Sequence, residues 1–250
     1  MGVELTNEGP IGIATLDWPE RRNALAPPQA RELAAALAEV GERDDVSVII
    51  VTGSGGFCAG GDLRVLIDLA AEGPDVVKDV IYSAYHSVVK TIVGLRKPVL
   101  AAIDGPAIGI GMDLALACDW RAIGPRGWLR HGWAELGVIP GTGGELLLRR
   151  HAPTLVWSLL GSAKRIGPDQ AERLGLALAT EKDETALDAA RARARGIAKL
   201  PQAALEGYVL LHREELRARL DPHLELCAEI QADLVATRGF RERAEMLLAS

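Results

Sequence analysis

Two stretches of the chain carry residues whose types and spacing can do chemistry. The first is Gly53-Ser-Gly-Gly-Phe-Cys-Ala-Gly-Gly-Asp-Leu63. The β-forming run Val46–Thr52 leads into it and the helical pattern Leu63–Leu69 leads out, with Asp62 a natural N-cap. Free N–H groups at a helix start suit a partner carrying negative charge, and small residues at Ala59, Gly60 and Gly61 let that partner reach the backbone. No Gly-Lys-Ser/Thr follows, so this is no Walker loop, and Cys58 stands where a dinucleotide fingerprint needs its third glycine. A carboxylate at Asp62 would repel a phosphate beside it. The pattern therefore suits a carbonyl oxygen that becomes negative only during reaction; it also suits a plain strand-to-helix turn.

The second stretch is Lys97–Gly105 followed by Pro106-Ala-Ile-Gly-Ile-Gly-Met-Asp-Leu-Ala-Leu-Ala-Cys-Asp119, which reads as a strand, a glycine turn and a short helix. Asp113 lies three residues after Ile110, on the same helical face. An aspartate in a first helical turn can serve as an acid or base, or simply complement the helix dipole.

The elements that must position these residues alternate. Residues 3–16 form a hairpin around Asn7–Pro10, and 27–40 a helix ending at Gly41. Residues 63–95 are helices broken near 72–74, 99–103 a strand, 110–117 a helix and 120–123 a strand. Candidate helices follow at 145–150, 153–160, 168–175, 183–199, 201–219 and 222–247. Such alternation predicts stacked β/α units with both sheet faces covered.

These two stretches resemble the paired signature of the crotonase (enoyl-CoA hydratase/isomerase) superfamily. Leu136-Gly-Val-Ile-Pro-Gly-Thr-Gly-Gly144 is similar to its next block and Pro19-Glu-Arg-Arg-Asn-Ala-Leu25 to its first, in family order and spacing. The resemblance implies an α/β fold, a crotonase-like spiral of ββα units over residues 1–195. A C-terminal helical oligomerisation region over 196–250 would assemble a homotrimer or a dimer of trimers. It implies an acyl-CoA substrate whose thioester oxygen sits between two backbone N–H groups, which fall on Ala59 and Ile110. Ile110 departs from the usual Gly or Ala, and its bulk narrows or redirects the acyl pocket. Asp113 matches one of the two acid/base carboxylates of family hydratases. The other position holds Trp133, whose indole cannot activate water, so ordinary syn hydration is doubtful. Trp133 also resembles the tryptophan lining the pocket of aroyl-CoA dehalogenases, but Gly141 stands where those enzymes need a nucleophilic aspartate. Glu145 is the first candidate to replace the missing carboxylate, with Glu135, His131 and His86 behind it. Trp133, His131 and Ile110 are assigned to the substrate pocket. Coenzyme A is expected against Arg21, Arg22 and Ala24, and against Ala59, Gly60, Gly61, Asp62 and Leu63. No cofactor is expected beyond the coenzyme A of the substrate. The alternatives are a crotonase-fold decarboxylase or thioester hydrolase, and a catalytically silent acyl-CoA binder.

The bulk properties agree with such an enzyme. The chain has 250 residues, 48% of them apolar, and a formal net charge of −6, which argues against a nucleic-acid surface. No apolar run is long enough for a membrane span and no signal peptide is evident. The three cysteines are far apart and the five histidines scattered, which fits a reducing cytoplasm and predicts no metal site.

Overall fold

The computed structural model describes residues 1–151, 153–160 and 164–249. Its main sheet has the strand order β1-β2-β3-β4-β6-β8. β1 (Gly2–Glu8) and β2 (Ile11–Asp17) form the expected antiparallel hairpin. From β2 onward, β3 (Val48–Gly53), β4 (Val99–Ile103), β6 (Trp120–Ile123) and β8 (Leu178–Ala179) add on in parallel. β5 (Pro106–Ile108) and β7 (Trp128–Arg130) pair in parallel as a second, small sheet. This is the spiral of ββα units that the family resemblance implies.

Helices α1 (Pro27–Glu42), α2 (Leu63–Ala70), the short α3 (Pro74–Val76) and α4 (Ser83–Gly94) occupy the first half of the chain, a π-helical turn at Val77–Tyr82 joining the last two. α5 (Ile110–Ala117) follows β5, and α6 (Gly144–Arg149), α7 (Leu155–Leu159) and α8 (Pro168–Arg173) cross the middle. α9 (Ala186–Ile197), α10 (Gln202–Val235) and α11 (Arg238–Leu248) complete the C-terminal region. β3 and β4 are buried on both faces, as parallel strands require. Val51, Ala101 and Ile103 face the large core with α1, α4 and α5. Ile50, Leu100 and Ala102 face a smaller one covered by Ala186, Ala190 and Ala194 of α9.

Three larger departures from the sequence expectation stand out; one is the helix expected over 222–247, which ends at Val235 and restarts at Arg238 with Thr237 as its N-cap. α1 runs past Gly41, where a Cβ would lie 2.3 Å from Leu95 Cδ2, so this glycine serves close helix packing rather than a helix stop. The expected break at Asp221-Pro222 is absent, and one 34-residue helix runs through Pro222. Proline removes one ladder bond and crowds the preceding turn. Tertiary contacts outweigh that cost. Leu216, Leu220 and Leu224 are buried, and Arg213 Nε donates to Asp119 at 2.8 Å. Arg217 Nε donates to the Val93 carbonyl at 2.9 Å. Three short strands, β5, β7 and β8, carry too few residues for a period-two pattern to reveal them.

Candidate active site

The Arg22 loop is fastened onto the glycine turn. Arg22 and Asn23 both have positive φ, at 53° and 55°, a conformation asparagine tolerates better than most residues. The buried Asn23 side chain accepts from Trp18 N at 2.8 Å and donates to the carbonyls of Ser54 and Gly56 at 3.1 and 2.8 Å. The backbone then zips together: Leu25 N donates to Gly60 O at 2.8 Å and Asp62 N to Leu25 O at 2.9 Å. Asp62 caps α2 as expected, accepting from Arg64 N at 3.2 Å, and its other oxygen accepts from Arg21 at 3.0 Å.

This zipping changes which donor is free. Ala59 N, expected to face the substrate, donates to Arg22 O at 3.0 Å. It is therefore spent on holding the loop. The N–H of Gly61, two residues on, has no partner among the described residues, nor has that of Ile110 at the first position of α5. The two segments are held side by side. Cys58 N donates to Pro106 O at 2.8 Å, Ile108 N donates to Cys58 O at 3.1 Å, and a Cβ at Gly111 would lie 2.2 Å from Cys58 O. Gly60, at φ +106°, is pressed so close that a Cβ would meet Ile108 O at 3.0 Å.

Gly61 and Ile110 line one cavity of about 420 Å3, together with Arg22, Ala59, Gly60 and Leu63. Its apolar wall includes Tyr82, Tyr85, Trp128, Trp133, Phe240 and Leu247. Tyr85 donates its hydroxyl hydrogen to Leu25 O at 2.7 Å, which ties the wall to the Arg22 loop. Arg165 stacks over Trp128 at 4.2 Å from the ring centre and also lines the cavity. Arg21, Ala24 and Asp62 do not line it.

Asp113 sits behind this wall, 1% exposed and outside the cavity lining. Its carboxylate accepts from the Thr142 hydroxyl, and Gly144 passes so close that a Cβ there would be 2.2 Å from Asp113 Oδ1. Burial pushes its pKa up to about 7, while the Thr142 hydroxyl and the nearby Trp133 indole N–H pull it down. The indole lies near enough to act on the carboxyl, yet its Nε1 closes no hydrogen bond.

The proposed substitutes for the missing carboxylate fare differently. Glu145 does not line the cavity and pairs with Arg149 at 3.3 Å. Glu135 does line it, but both its oxygens are held by Arg130. His86 Nε2 is hydrogen-bonded to Gly141 O at 2.8 Å, and burial lowers its pKa to about 4. His131 is buried outside the lining, its pKa likewise lowered by burial to about 4. Sequence reasoning missed Thr142, Tyr82, Tyr85 and the two α11 residues. Thr142 lay inside the quoted Gly141–Gly144 turn, whereas the distant aromatics gave no local signal. Among the described residues no group of three His, Cys, Asp or Glu could hold a metal ion, and no helix is long and apolar enough to cross a membrane.

The enoyl-CoA hydratase/isomerase family model matches residues 6–247. The chain belongs to that family. A probable enoyl-CoA hydratase of Rhodobacter capsulatus is 34% identical, over 95% of this chain and 91% of its own. The 1,2-epoxyphenylacetyl-CoA isomerase of Escherichia coli K12 is 31% identical, over 94% of this chain and 90% of its own. The crystal structure of an enoyl-CoA hydratase/isomerase from Mycobacterium paratuberculosis superposes with a TM-score of 0.89 at 25% identity, covering 98% of this chain and 97% of that one.

Proposed function

We propose that the protein binds an acyl-CoA thioester with its thioester oxygen between the N–H groups of Gly61 and Ile110, and isomerises the acyl group through the resulting enolate. The observation that carries this reading is the pair of unpartnered N–H groups on the wall of one apolar cavity. Asp113, one turn after Ile110, is the proton carrier; its raised pKa suits exchange near neutrality. It reaches the acyl carbons when the wall formed by Trp133 gives way. Trp133 lies in a loop between Gly132 and Gly137, both of positive φ. A single carboxylate can move one proton between two carbons, whereas hydration needs a second group where Trp133 stands. The Escherichia coli relative is itself named an isomerase.

Arg22 and Arg165, at the cavity wall, supply positive charge for the coenzyme A phosphates. Coenzyme A enters as part of the substrate and no resident cofactor is invoked. The spiral core over 1–195 and the helical region over 196–250 assemble as a homotrimer or dimer of trimers. The large exposed side chains Tyr208, Leu211 and Met246 of the C-terminal helices support that assembly. We read the location as cytoplasmic, in keeping with three free, buried cysteines. A second reading, a silent acyl-CoA binder, is favoured by one observation, the position of Asp113 behind the cavity wall.

The test is calorimetry with an acyl-CoA and its free acid, followed by turnover of a panel of 2-enoyl- and 3-enoyl-CoAs. Tight binding of the thioester alone, with interconversion of the two enoyl isomers, is the expected result. Binding without any turnover would establish the silent binder.

A further inference from the structure

Trp133 and Asp113 each keep a buried polar atom unpaired. Trp133 is 8% exposed, and its Nε1 is fully buried with no hydrogen-bond partner among the described residues. Asp113 is 1% exposed; its Oδ2 takes the Thr142 hydroxyl, and among the described residues no donor closes on Oδ1. A donor without an acceptor and an acceptor without a donor both cost free energy inside a protein.

The backbone sets the two side by side. Gly109 precedes α5, and its carbonyl accepts from Asp113 N at 3.0 Å, so Asp113 stands one turn further along. The indole packs on the same glycine. A Cβ built on Gly109 would lie 3.6 Å from Trp133 Cε2, the carbon bonded to Nε1, and 3.8 Å from Cζ2. The N–H edge of the ring therefore lies against the first turn of α5, where it acts on the Asp113 carboxyl. A protonated carboxyl accepts weakly and an ionised one strongly. An unclosed contact thus suits the neutral acid, and the gain from closing it goes to the anion.

Resting on the reading of Asp113 as the proton carrier, we infer that Trp133 is a positioning residue. In the free enzyme its indole N–H closes onto Oδ1 as Asp113 ionises, so that Trp133 and Thr142 hold the two oxygens of the base in one orientation.

The other groups around the carboxyl keep their charge through that change. Tyr82 of the π-helical turn and Cys227 of α10 both feel Asp113, and burial keeps both protonated, with Cys227 pushed up to about 11 and Tyr82 higher still. His86 of α4 and His131, two residues before Trp133, are neutral above about pH 4. Glu145 of α6 and Glu135 of the Trp133 loop are each paired with an arginine. Of the buried groups in this set, Asp113 alone changes charge near pH 7.

The experiment is a pH titration by NMR of the protein carrying nitrogen-15 in its five tryptophan indoles. The signal lost in Trp133→Phe assigns Trp133. In the wild type its proton resonance should move downfield as pH rises through about 7, and in Asp113→Asn it should stay flat. Trp133→Phe should also move the rising limb of kcat/KM, which reports the free enzyme, upward by about one pH unit. Five flat indole signals in the wild type would overturn the inference before any variant is made. So would a Trp133 signal that still titrates in Asp113→Asn. An unmoved limb beside a titrating indole would overturn it as well, since the contact would then hold no working base. If the indole titrates but no thioester is turned over, the proton-carrier reading fails and the positioning role with it. A flat indole in an active enzyme removes the positioning role alone.

Discussion

The amide N–H of Ala59 is bonded to the carbonyl of Arg22 at 3.0 Å, and this one contact moves the free donor of the turn to Gly61. The second donor, Ile110, occupies the first position of α5, where proline is tolerated because that N–H has no helical partner. Ile110→Pro should therefore fold and still bind coenzyme A thioesters. Its turnover should drop by about 10²–10³-fold, the usual loss for one such donor. Steady-state kinetics with circular dichroism as a folding control checks this. Ile110→Val, which keeps the N–H, should lose little.

Thr142 tunes Asp113. Its hydroxyl lowers a pKa that burial has raised to about 7. Thr142→Val removes the donor at nearly constant shape, so the carboxyl should titrate higher still. If the ionised form is the base, the rising limb of kcat/KM against pH should sit near pH 7 in the wild type and move upward in the variant. An unmoved limb would assign the profile to another group.

Asp113 also makes stability depend on pH. Its folded pKa lies above the unfolded value of 3.8, so the native state holds the proton more tightly. Between those two values the native state binds more protons than the unfolded state, and this group's contribution falls as pH rises, reaching its floor above about 7. His86 and His131, lowered to about 4, act oppositely and cost stability as pH falls below 6.5. Asp113→Asn should thus raise Tm relative to wild type more at pH 8 than at pH 5. Paired thermal melts at the two pH values test it; the reverse ordering would contradict the burial argument.

Arg213 anchors α10 from a position 1% exposed. It donates to the Asp119 carboxylate and to the carbonyls of Ile92, Val93 and Leu95. Arg213→Ala strands a partly buried carboxylate and several carbonyls. The expected cost is about 3–5 kcal/mol, measured by urea denaturation. The double replacement Arg213→Met with Asp119→Leu should recover much of that loss, since it strands no charge.

The long buried strands and the helices with apolar stripes were legible because burial imposes its period on the residues themselves. Val99–Ile103, Ile110–Ala117 and Trp120–Ile123 fall at the expected limits. Pro222 misled because proline reports a local cost, while the helix is held by Arg213, Arg217 and three leucines reaching across the molecule. The two glycine segments were legible as a candidate site, but Ala59 and Gly61 could not be told apart. Which N–H stays free depends on the Asn23 side chain fastening a loop more than thirty residues away. The arginine partners of Glu145 and Glu135 were hidden for a related reason: a carboxylate's partner, Arg149 or Arg130, is not visible in its own spacing.

The cavity is walled by Arg22 at one end of the chain and by Phe240 and Leu247 of α11 at the other. A nascent chain from which α11 has not yet emerged would have the spiral's strands but an open-sided pocket. Ligand cannot help such a chain fold, because stabilisation by mass action begins only when a binding-competent state exists. Pairings this distant in sequence also form late in folding. The protein must therefore complete its sheet and dock α10 unaided, and substrate acts only on finished molecules, slowing their loss rather than speeding their birth.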